Sequence, residues 1–302
     1  MRPSGRGPRR DRRHRPRRRG LCLGRRRGPS RARRGGRGAP PSARRDRPRR
    51  WHDGVRGEPP RLACPLRAAG VALGRRRSRV AHDEQRQQVV WACNELVRLG
   101  LVAGTAGNVT VRIPGTELVA ASPSSVRYDL LTAADVCVVD LGAGDVVEGF
   151  RNPTSELLMH AAVHRARGES VGAVVHAHSV AVTALSVVGR GVPPIVDEQV
   201  AILGGEIPLC PHELPGSAAL AERVVEHLGD LRAIILAHHG MLGVGRDVHQ
   251  AVAVCHLAER LAEVMLKVLP LGEPRLLPEE AQRLERAYYE MSSRPPRPLF
   301  SA

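Results

Sequence analysis

The sequence of 302 residues lacks several features that would each indicate a particular class of protein. It has a single lysine, Lys267, which disfavours Schiff-base chemistry because that chemistry needs a lysine in the pocket. Its six cysteines include no pair with CxxC spacing, so neither a thiolate zinc site nor a redox pair is indicated, and a reducing compartment is the default. No apolar run approaches the ~20 residues of a membrane span, and the N-terminus lacks the apolar segment of a secretory signal. These absences predict a cytoplasmic protein that does not contact a membrane.

Basic residues are concentrated at one end of the chain. Residues 1–80 hold 29 of the 47 basic residues and 4 of the 30 acidic ones, whereas residues 81–302 carry a net negative charge. The first stretch is rich in Arg, Gly and Pro and has no apolar period, which predicts a disordered arm. Nucleic-acid binding by this arm is one interpretation, but the arm contains one aromatic residue, Trp51, and no lysine. We favour the alternative that residues 1–80 are translated upstream sequence of a GC-rich genome, with the true start near Val80.

The pattern of a folded domain begins at Ala81. Helices are predicted in AHDEQRQQVVWACNELVRLG, NPTSELLMHAAVHRARG, SVAVTALSVVG, AERVVEHLG and DVHQAVAVCHLAERLAEVMLKVL, and strands in NVTVRI, ELVAAS, DVCVVDL, DVVEGF, VGAVVHAH, RAIILAHHG and GMLGVG. Strands interspersed with helices in this way indicate a layered α/β or α+β domain with helices on both faces of a sheet. We expect the domain to span residues 81–292, with a short tail over 293–302.

Two histidines, His176 and His178, stand at the end of the strand VGAVVHAH. Side chains two apart on a strand share a face, so both imidazoles can reach one ion. An HxH pair alone is a weak signal, but a second strand ends in HHG and supplies a third ligand. Adjacent strand residues face opposite ways, so only one of His238 and His239 can join, and we choose His239 because Gly240 lets the backbone turn beside it. Three imidazoles of this kind suit a catalytic Zn²⁺ that keeps an open position.

The remaining histidines of the domain that lie on predicted helices or loops lack partner spacing. For these we expect surface positions with no role in the site, and for His238 a hydrogen-bonded core or interface position. They are His160, His164, His212, His227, His249 and His256.

Three turns rich in glycine or hydroxyl groups lie next to predicted strand or helix ends. In NPTSE, Thr154 or Ser155 caps the following helix, or both bind a phosphate at the helix N-terminus while Glu156 reaches the metal. The segments GTAGN, residues 104–108, and SPSS, residues 122–125, are either plain turns or further parts of the same anion pocket.

Taken together, the segments RLGLVAGTAGNVTVR, SPSS, NPTSE, VVHAHS and ILAHHG resemble the class II aldolase/adducin family, in that family's order. The resemblance covers residues 81–290. It implies an α/β fold, a three-layer α/β/α sandwich with a mixed, largely antiparallel central sheet. It also implies a homotetramer with sites at subunit interfaces and a small phosphorylated sugar as substrate.

The resemblance further implies roles for individual residues. One Zn²⁺ per chain is held by His176, His178 and His239, with Glu156 as the acid/base beside it. The phosphate-binding positions are Gly107, Asn108, Ser124, Ser125, Thr154 and Ser155.

The sequence departs from the family pattern in two places. Ser125 replaces a frequent glycine, and the segment IVDEQVAILGG lacks a tyrosine found in the fuculose-phosphate type of enzyme. Tyr288 and Tyr289 are the loose counterparts of a C-terminal tyrosine. These departures bear on the identity of the sugar more than on the phosphate.

The expected reaction is cleavage of a fuculose-phosphate-like ketose 1-phosphate to dihydroxyacetone phosphate and an aldehyde through a metal-stabilised enediolate. Because a fold does not fix a reaction, a methylthioribulose-1-phosphate dehydratase and other sugar-phosphate epimerases or decarboxylases stay open as alternatives. A non-catalytic adducin-like binding module is disfavoured, because such a module would lack the metal histidines.

Overall fold

An eight-stranded sheet forms the centre of the part of the chain that the computed structural model describes, residues 82–293. The strands are β1 Asn108–Arg112, β2 Leu118–Ala121, β3 Cys137–Asp140, β4 Val146–Glu148, β5 Ala173–Ala177, β6 Leu209–Cys210, β7 Ala233–Leu236 and β8 Gly240–Gly245. Their spatial order is β4-β3-β2-β1-β5-β8-β7-β6, and every neighbouring pair is antiparallel except β6 with β7. The mixed, largely antiparallel sheet is therefore confirmed. The predicted arm over residues 1–80 and the tail beyond residue 293 lie outside the described residues.

Helices cover both faces of this sheet. They are α1 Asp83–Arg98, α2 Leu157–Arg167, α3 Val180–Val187, α4 Asp197–Leu203, α5 Ala218–Leu228, α6 Val248–Val268 and α7 Glu279–Ser293. Alternate residues of β5 belong to different cores: Val175 packs with α1, α3 and α6, whereas Val174 packs with α2 and α5. This alternation follows from the two-residue period of a strand, and it confirms the three-layer α/β/α arrangement. Between residues 82 and 293, no helix combines the length and the apolar character needed to cross a bilayer.

Three elements were not in the predicted set: α4, β6 and α7, of which α4 and β6 are short. Helix α4 is seven residues long and β6 is two residues long, so neither shows enough repeats of its period to be recognised in the sequence. Both lie near the β6 edge of the sheet, where β6 pairs in parallel with β7 and α4 packs against α7. They extend the edge of the sheet farthest from β4 and do not carry a predicted site residue.

The start of α2 differs from the predicted capping. Helix α2 begins at Leu157 with Glu156 as its N-cap, so neither Thr154 nor Ser155 occupies that position. The reason is that the preceding chain is held in an extended conformation: the Thr154 N–H donates to the Ser122 carbonyl at 3.0 Å. The Thr154 hydroxyl instead accepts a hydrogen bond from the Glu156 N–H at 3.2 Å. Glu156 is thus fixed at the point where the chain turns into the helix.

Three arginines close the C-terminal ends of helices at the end of the sheet where β7 begins. Arg232 donates to the Ile202 carbonyl in α4, Arg167 to the Gly229 carbonyl after α5, and Arg246 to the Ser292 carbonyl in α7. Carbonyl groups at a helix C-terminus have no partner within the helix and carry partial negative charge. Guanidinium groups at these positions donate hydrogen bonds to the carbonyl groups, and the partial negative charge of the helix end stabilises the positive charge of the arginine.

The close approach of β8 to α6 generates a test of the fold. A Cβ added at Gly245 would lie 2.4 Å from the Ala251 backbone nitrogen, and backbone cannot move aside as a side chain can. We expect Gly245→Ala to lower the free energy of unfolding by about 1–3 kcal/mol, the usual cost of overpacking. Urea denaturation followed by circular dichroism measures the change.

The matched control is Gly142→Ala, because a Cβ there meets a flexible side chain, Asp140, at 3.2 Å. Equal unfolding midpoints for the Gly245 and Gly142 variants would show that the β8–α6 contact is not tight.

Candidate active site

Four side chains converge at one end of the central strands: Glu156, His176, His178 and His239. One nitrogen or carboxylate oxygen from each lies within 4.8 Å of those of the others. The three imidazole rings form a nearly equilateral triangle, with centroids 4.7, 4.7 and 4.9 Å apart. We call these four residues the histidine–glutamate cluster. The residues chosen from the sequence as metal ligands and acid/base therefore lie together.

Antiparallel pairing of β5 with β8 brings the histidines to the same place. Ala177 in β5 is opposite Met241 in β8, so the residue after β5 and the residue before β8 emerge side by side. His178 follows Ala177, and His239 precedes Gly240. His176 is within β5 and points to the same side of the sheet as Val174, toward α2. The sheet register therefore fixes the relative positions of all three rings.

The separation of His238 from His239 has a different cause from the predicted one. Both residues lie in the turn between β7 and β8 and not on a strand. His238 has a left-handed backbone, with φ 56°, and this turns its side chain outward, where the ring lies 5.9 Å from that of His212. His238 is exposed, so the core alternative is wrong and the interface alternative stays a prediction.

Gly240 also serves a purpose other than the expected one. Its φ is not in the left-handed region, but a Cβ added there would lie 2.3 Å from the Ala177 carbonyl oxygen. A side chain would also press on the His178 ring, 3.1 Å away. The glycine therefore permits close approach of the turn to β5, which brings His239 into reach of His178.

Residues outside the cluster hold the turn that follows His178. Helix α3 begins there, and the side chain of its N-cap residue, Ser179, makes no capping hydrogen bond. The carboxylate of Glu259, on α6, accepts hydrogen bonds from the N–H groups of Ala181 at 2.8 Å and Val182 at 3.0 Å. Glu259 thus caps α3 from a distant helix, which sequence inspection of α3 cannot reveal.

The carboxylate of Glu156 has two unlike oxygens. Oε2 accepts a hydrogen bond from Asn108 Nδ2 at 2.9 Å and lies 3.1 Å from His176 Nε2. Oε1 lies 3.3 Å from His239 Nε2 and accepts no hydrogen bond from the described residues. Burial by itself would raise the pKa of this carboxyl group, but hydrogen bonding to His176, the charge of the neighbouring rings when they are protonated, and the hydrogen bond from Asn108 lower the pKa below its ordinary range. Glu156 is therefore an anion at neutral pH.

The donor set fits a divalent cation. His176 Nδ1 lies 2.8 Å from the Met241 carbonyl, to which it donates, so the neutral ring presents a lone pair at Nε2. That lone pair faces Glu156 Oε2, an arrangement that requires positive charge between the two atoms. A backbone carbonyl that orients the far nitrogen of a histidine is the usual partner of a metal-binding imidazole.

Burial prepares the other two rings for the same role. Desolvation lowers the pKa of His178 and of His239 to about 4, with a smaller contribution from His176 when that ring is protonated. Both rings are consequently neutral at physiological pH, with lone pairs free to bind a metal. Three neutral imidazoles and one carboxylate could hold Zn²⁺ or a similar ion.

The six predicted phosphate-binding residues lie in three turns close to the cluster. Gly107 leads into β1 beside His176, and a Cβ on this glycine would lie 2.7 Å from the His176 carbonyl oxygen. The turns at 122–125 and 152–155 lie next to each other, because Ser124 donates through its hydroxyl to the Pro153 carbonyl at 2.8 Å. Ser125 and Ser155 are exposed, whereas Asn108 and Thr154 are buried.

Ser125 explains one departure from the family pattern. Its φ is 62°, in the left-handed region where glycine is favoured. A glycine at this position would adopt the conformation without strain, and this chain reaches it with a serine at some steric cost.

Tyrosines contribute in an unexpected way. Tyr128, which was not selected from the sequence, donates through its hydroxyl to the Gly107 carbonyl at 2.6 Å, and burial raises the pKa of this tyrosine.

Tyr289 is buried between Arg232 and Arg286 and donates to the Asp230 carbonyl, near the start of β7. His239 lies beyond the opposite end of that strand, so within one chain Tyr289 does not reach the cluster. Tyr288 is exposed.

The prediction of surface positions for His160 and His164 is wrong. Both side chains are fully buried on the face of α2 that packs against β1. Their spacing of four residues places them on one helix face, a pattern that could have been recognised as inward-facing. His160 lies one helical turn beyond Glu156.

Comparisons with known proteins agree with this geometry. Residues 87–266 match the family described as class II aldolase and adducin N-terminal domain. A 5-deoxy-D-ribulose 1-phosphate aldolase of Bacillus thuringiensis serovar kurstaki is 34% identical over 198 residues, covering 66% of this chain and 92% of that protein. An L-fuculose phosphate aldolase of Escherichia coli K12 is 35% identical over 188 residues, covering 62% of this chain and 85% of that protein. A solved structure of an L-fuculose 1-phosphate aldolase superimposes with a TM-score of 0.66 at 27% identity, covering 70% of this chain and 98% of its own.

The adjacent histidines provide a matched test of the metal site. We expect His239→Ala to lose bound metal, because one of three imidazole ligands is removed, and His238→Ala to retain it, because that ring points away from the cluster. Protein loaded with Zn²⁺ and dialysed is measured by inductively coupled plasma mass spectrometry. Equal metal content in the two variants would contradict the assignment of His239.

Proposed function

Because the chain belongs to the class II aldolase and adducin family, we propose that it is a zinc-dependent aldolase that cleaves a ketose 1-phosphate to dihydroxyacetone phosphate and an aldehyde. The observation that carries the proposal is the histidine–glutamate cluster. An adducin-like binding module has no need of three converging imidazoles beside a buried carboxylate. We assign the activity to the domain expected over residues 81–292.

The chain's own residues divide the work of the reaction. His176, His178 and His239 would hold the zinc ion, which would act as a Lewis acid toward the ketose oxygens that become negatively charged during cleavage. In the cleavage direction the C3–C4 bond breaks while the C4 hydroxyl group becomes the aldehyde and loses its proton; the Glu156 carboxylate takes up that proton and delivers it to C3. In the reverse, bond-forming direction the Glu156 carboxylate removes the proton from C3, and the aldehyde oxygen receives it. The position of Glu156 as an anion with one uncommitted oxygen supports this role.

The three turns next to the cluster supply the phosphate site in this proposal. We propose that Gly107, Asn108, Ser124, Ser125, Thr154 and Ser155 line this site, which would bind an oxyanion without a formal positive charge. The hydroxyl groups of Ser125 and Ser155 are exposed and suited to direct contact. The Ser124 hydroxyl, the Thr154 N–H and the Asn108 amide already donate to Pro153, Ser122 and Glu156 and thus shape the turns. A phosphate held in this site fixes the position of the reacting carbons relative to Glu156 and the three histidines, and positioning of this kind orients a small substrate for reaction.

Two named relatives limit the choice of sugar. They act on 5-deoxy-D-ribulose 1-phosphate and on L-fuculose phosphate. In both sugars the carbon chain ends in a methyl group. We propose a ketose 1-phosphate with an apolar end as the substrate class. We also propose a homotetramer with sites at subunit interfaces, which light scattering on the purified protein tests.

The first experiment combines metal analysis with a cleavage assay on the full chain. We expect about one zinc per chain and release of dihydroxyacetone phosphate from 5-deoxyribulose 1-phosphate or fuculose 1-phosphate. Zinc without cleavage of any ketose phosphate would refute the aldolase and favour a dehydratase, epimerase or decarboxylase. Absence of metal binding would favour the non-catalytic module.

Substitution of the acid/base tests the mechanism. We expect Glu156→Gln to retain zinc and to lower kcat by about 10²–10⁴-fold, because the amide cannot accept the proton. The matched control, Glu169→Gln, alters an exposed carboxylate after α2 and should leave kcat unchanged. A fully active Glu156→Gln enzyme would refute the acid/base role.

A further inference from the structure

A line of buried polar side chains joins β1 to α2 directly beside the cluster. Asn108, Thr110 and Arg112 share one face of β1, and each contacts α2 or the residue that precedes it. Their partners are spaced by four residues and thus also share one face. We call this set the β1–α2 polar seam; it comprises Asn108, Thr110, Arg112, Glu156, His160 and His164, all at most 8% exposed.

Thr110 lies at the middle of the seam. Its Oγ1 is 2.9 Å from His160 Nδ1 and 2.9 Å from His164 Nε2. A hydroxyl group has one proton, so at least one of the two rings must donate an N–H to Oγ1. Burial lowers the pKa of both histidines to about 3, so both rings are neutral and each has one N–H. The threonine thus links two helix residues through a pair of directed hydrogen bonds.

The seam is not required by packing. The alternate residues of the same strand, Val109 and Val111, are apolar and lie in the core on the other face. On the seam side, Asn108 Oδ1, His160 Nε2 and His164 Nδ1 have no hydrogen-bond partner among the described residues. Buried polar atoms without partners oppose folding, and an apolar seam would avoid that cost. The polar residues therefore serve a purpose other than stability.

The Thr110–His160 bond lies next to the bond that holds the acid/base. Thr110 is two residues beyond Asn108 on the strand, and His160 is one turn beyond Glu156 on the helix. The Asn108 Nδ2–Glu156 Oε2 bond, at 2.9 Å, and the Thr110–His160 bond, also at 2.9 Å, are thus successive ties between the same two elements. Any slip or tilt of α2 against β1 would disturb both ties.

From this geometry we propose that Thr110 and His160 are positioning residues that hold α2 in register with β1 and thereby orient the carboxylate of Glu156. The inference rests on the proposed function, since it concerns the residue assigned to proton transfer. The orientation keeps Oε2 committed to Asn108 and leaves Oε1 free to carry the proton. Small displacements of a reacting group lower the reaction rate by large factors, so side chains that fix the position of the Glu156 carboxylate affect the rate.

Three variants of matched size test the role of the hydroxyl group. Thr110→Val removes the hydroxyl and keeps the shape, and Thr110→Ser restores the hydroxyl. Thr183→Val removes a buried hydroxyl that makes no hydrogen bond in the described residues, on α3 and away from the seam. We expect Thr110→Val to lower kcat at least about tenfold, with KM and zinc content little changed, and the other two variants to resemble the wild-type protein.

A second measurement is independent of activity. The side-chain amide signal of Asn108 in ¹H–¹⁵N NMR spectra reports its hydrogen bond to Glu156. We expect this signal to shift and to exchange faster with water in Thr110→Val, and to be unchanged in Thr110→Ser and Thr183→Val. His160→Leu breaks the same tie from the helix side, and should shift the same signal if Thr110→Val does not fold.

The outcomes separate this inference from the function. Unchanged kcat and an unchanged Asn108 signal in folded Thr110→Val would overturn the positioning role, as would a loss of thermal stability alone. Wild-type protein that cleaves no ketose phosphate would refute the aldolase, while the Asn108 signal would still decide whether the seam positions Glu156.

Discussion

The antiparallel pairing of β5 with β8 is the constraint on which the candidate site depends. Because Ala177 is opposite Met241, the residues just beyond these positions leave the sheet at the same edge. His178 and His239 meet there without a long loop, and the carbonyl of Met241 orients His176. Ligands set by sheet register are held more precisely than ligands carried on free loops. A one-residue slip of this pairing would turn the side chains of one strand to the opposite face and separate the three rings.

The fourth member of the cluster reaches the same point by a different route. The segment before α2 is tied to the end of β2 through Thr154 and Ser122, and this delays the helix until Leu157. The delay places Glu156 at the corner, where its carboxylate faces the histidines. A helix capped at Thr154 would have included Glu156 in its first turn and rotated it away. The site therefore depends on two features, the hydrogen bond between Thr154 and Ser122 and the register of β5 with β8, and α2 begins where these features allow it.

Strong local periods made much of this architecture predictable. The strands around HAH and HHG and the long helix α6 carry clear apolar patterns, and the choice of cluster residues from their spacing agrees with the geometry. What the sequence did not reveal depends on distant contacts. Glu259 caps α3 from another helix, Tyr128 supports Gly107 from a separate turn, and His160 is buried by a strand nearly fifty positions earlier. Local reasoning treats such residues as surface positions because their partners are not neighbours in the chain.

The left-handed backbone of His238 shows a related limit. Alternation on a strand selected the histidine that lies beside His176 and His178, but for the wrong reason, because His238 and His239 lie in a turn. Which of the two rings faces the cluster depends on which residue adopts the left-handed backbone, and that residue is His238. Sequence alone indicates such positions mainly through the preference of glycine for them.

The order of the strands has a consequence for how the protein folds. The site requires β1 to pair with β5 and β5 with β8, and the His176–Met241 contact alone joins residues 65 positions apart. Contacts of such long sequence separation form late, since much of the chain must be ordered before they repay the entropy of loop closure. The helices and the β1–β2 and β3–β4 hairpins can assemble first, while the members of the histidine–glutamate cluster are still apart. A metal ion bound by the histidine–glutamate cluster would therefore find its complete set of ligands only near the end of folding, and it would stabilise the finished fold without serving as a nucleus for it.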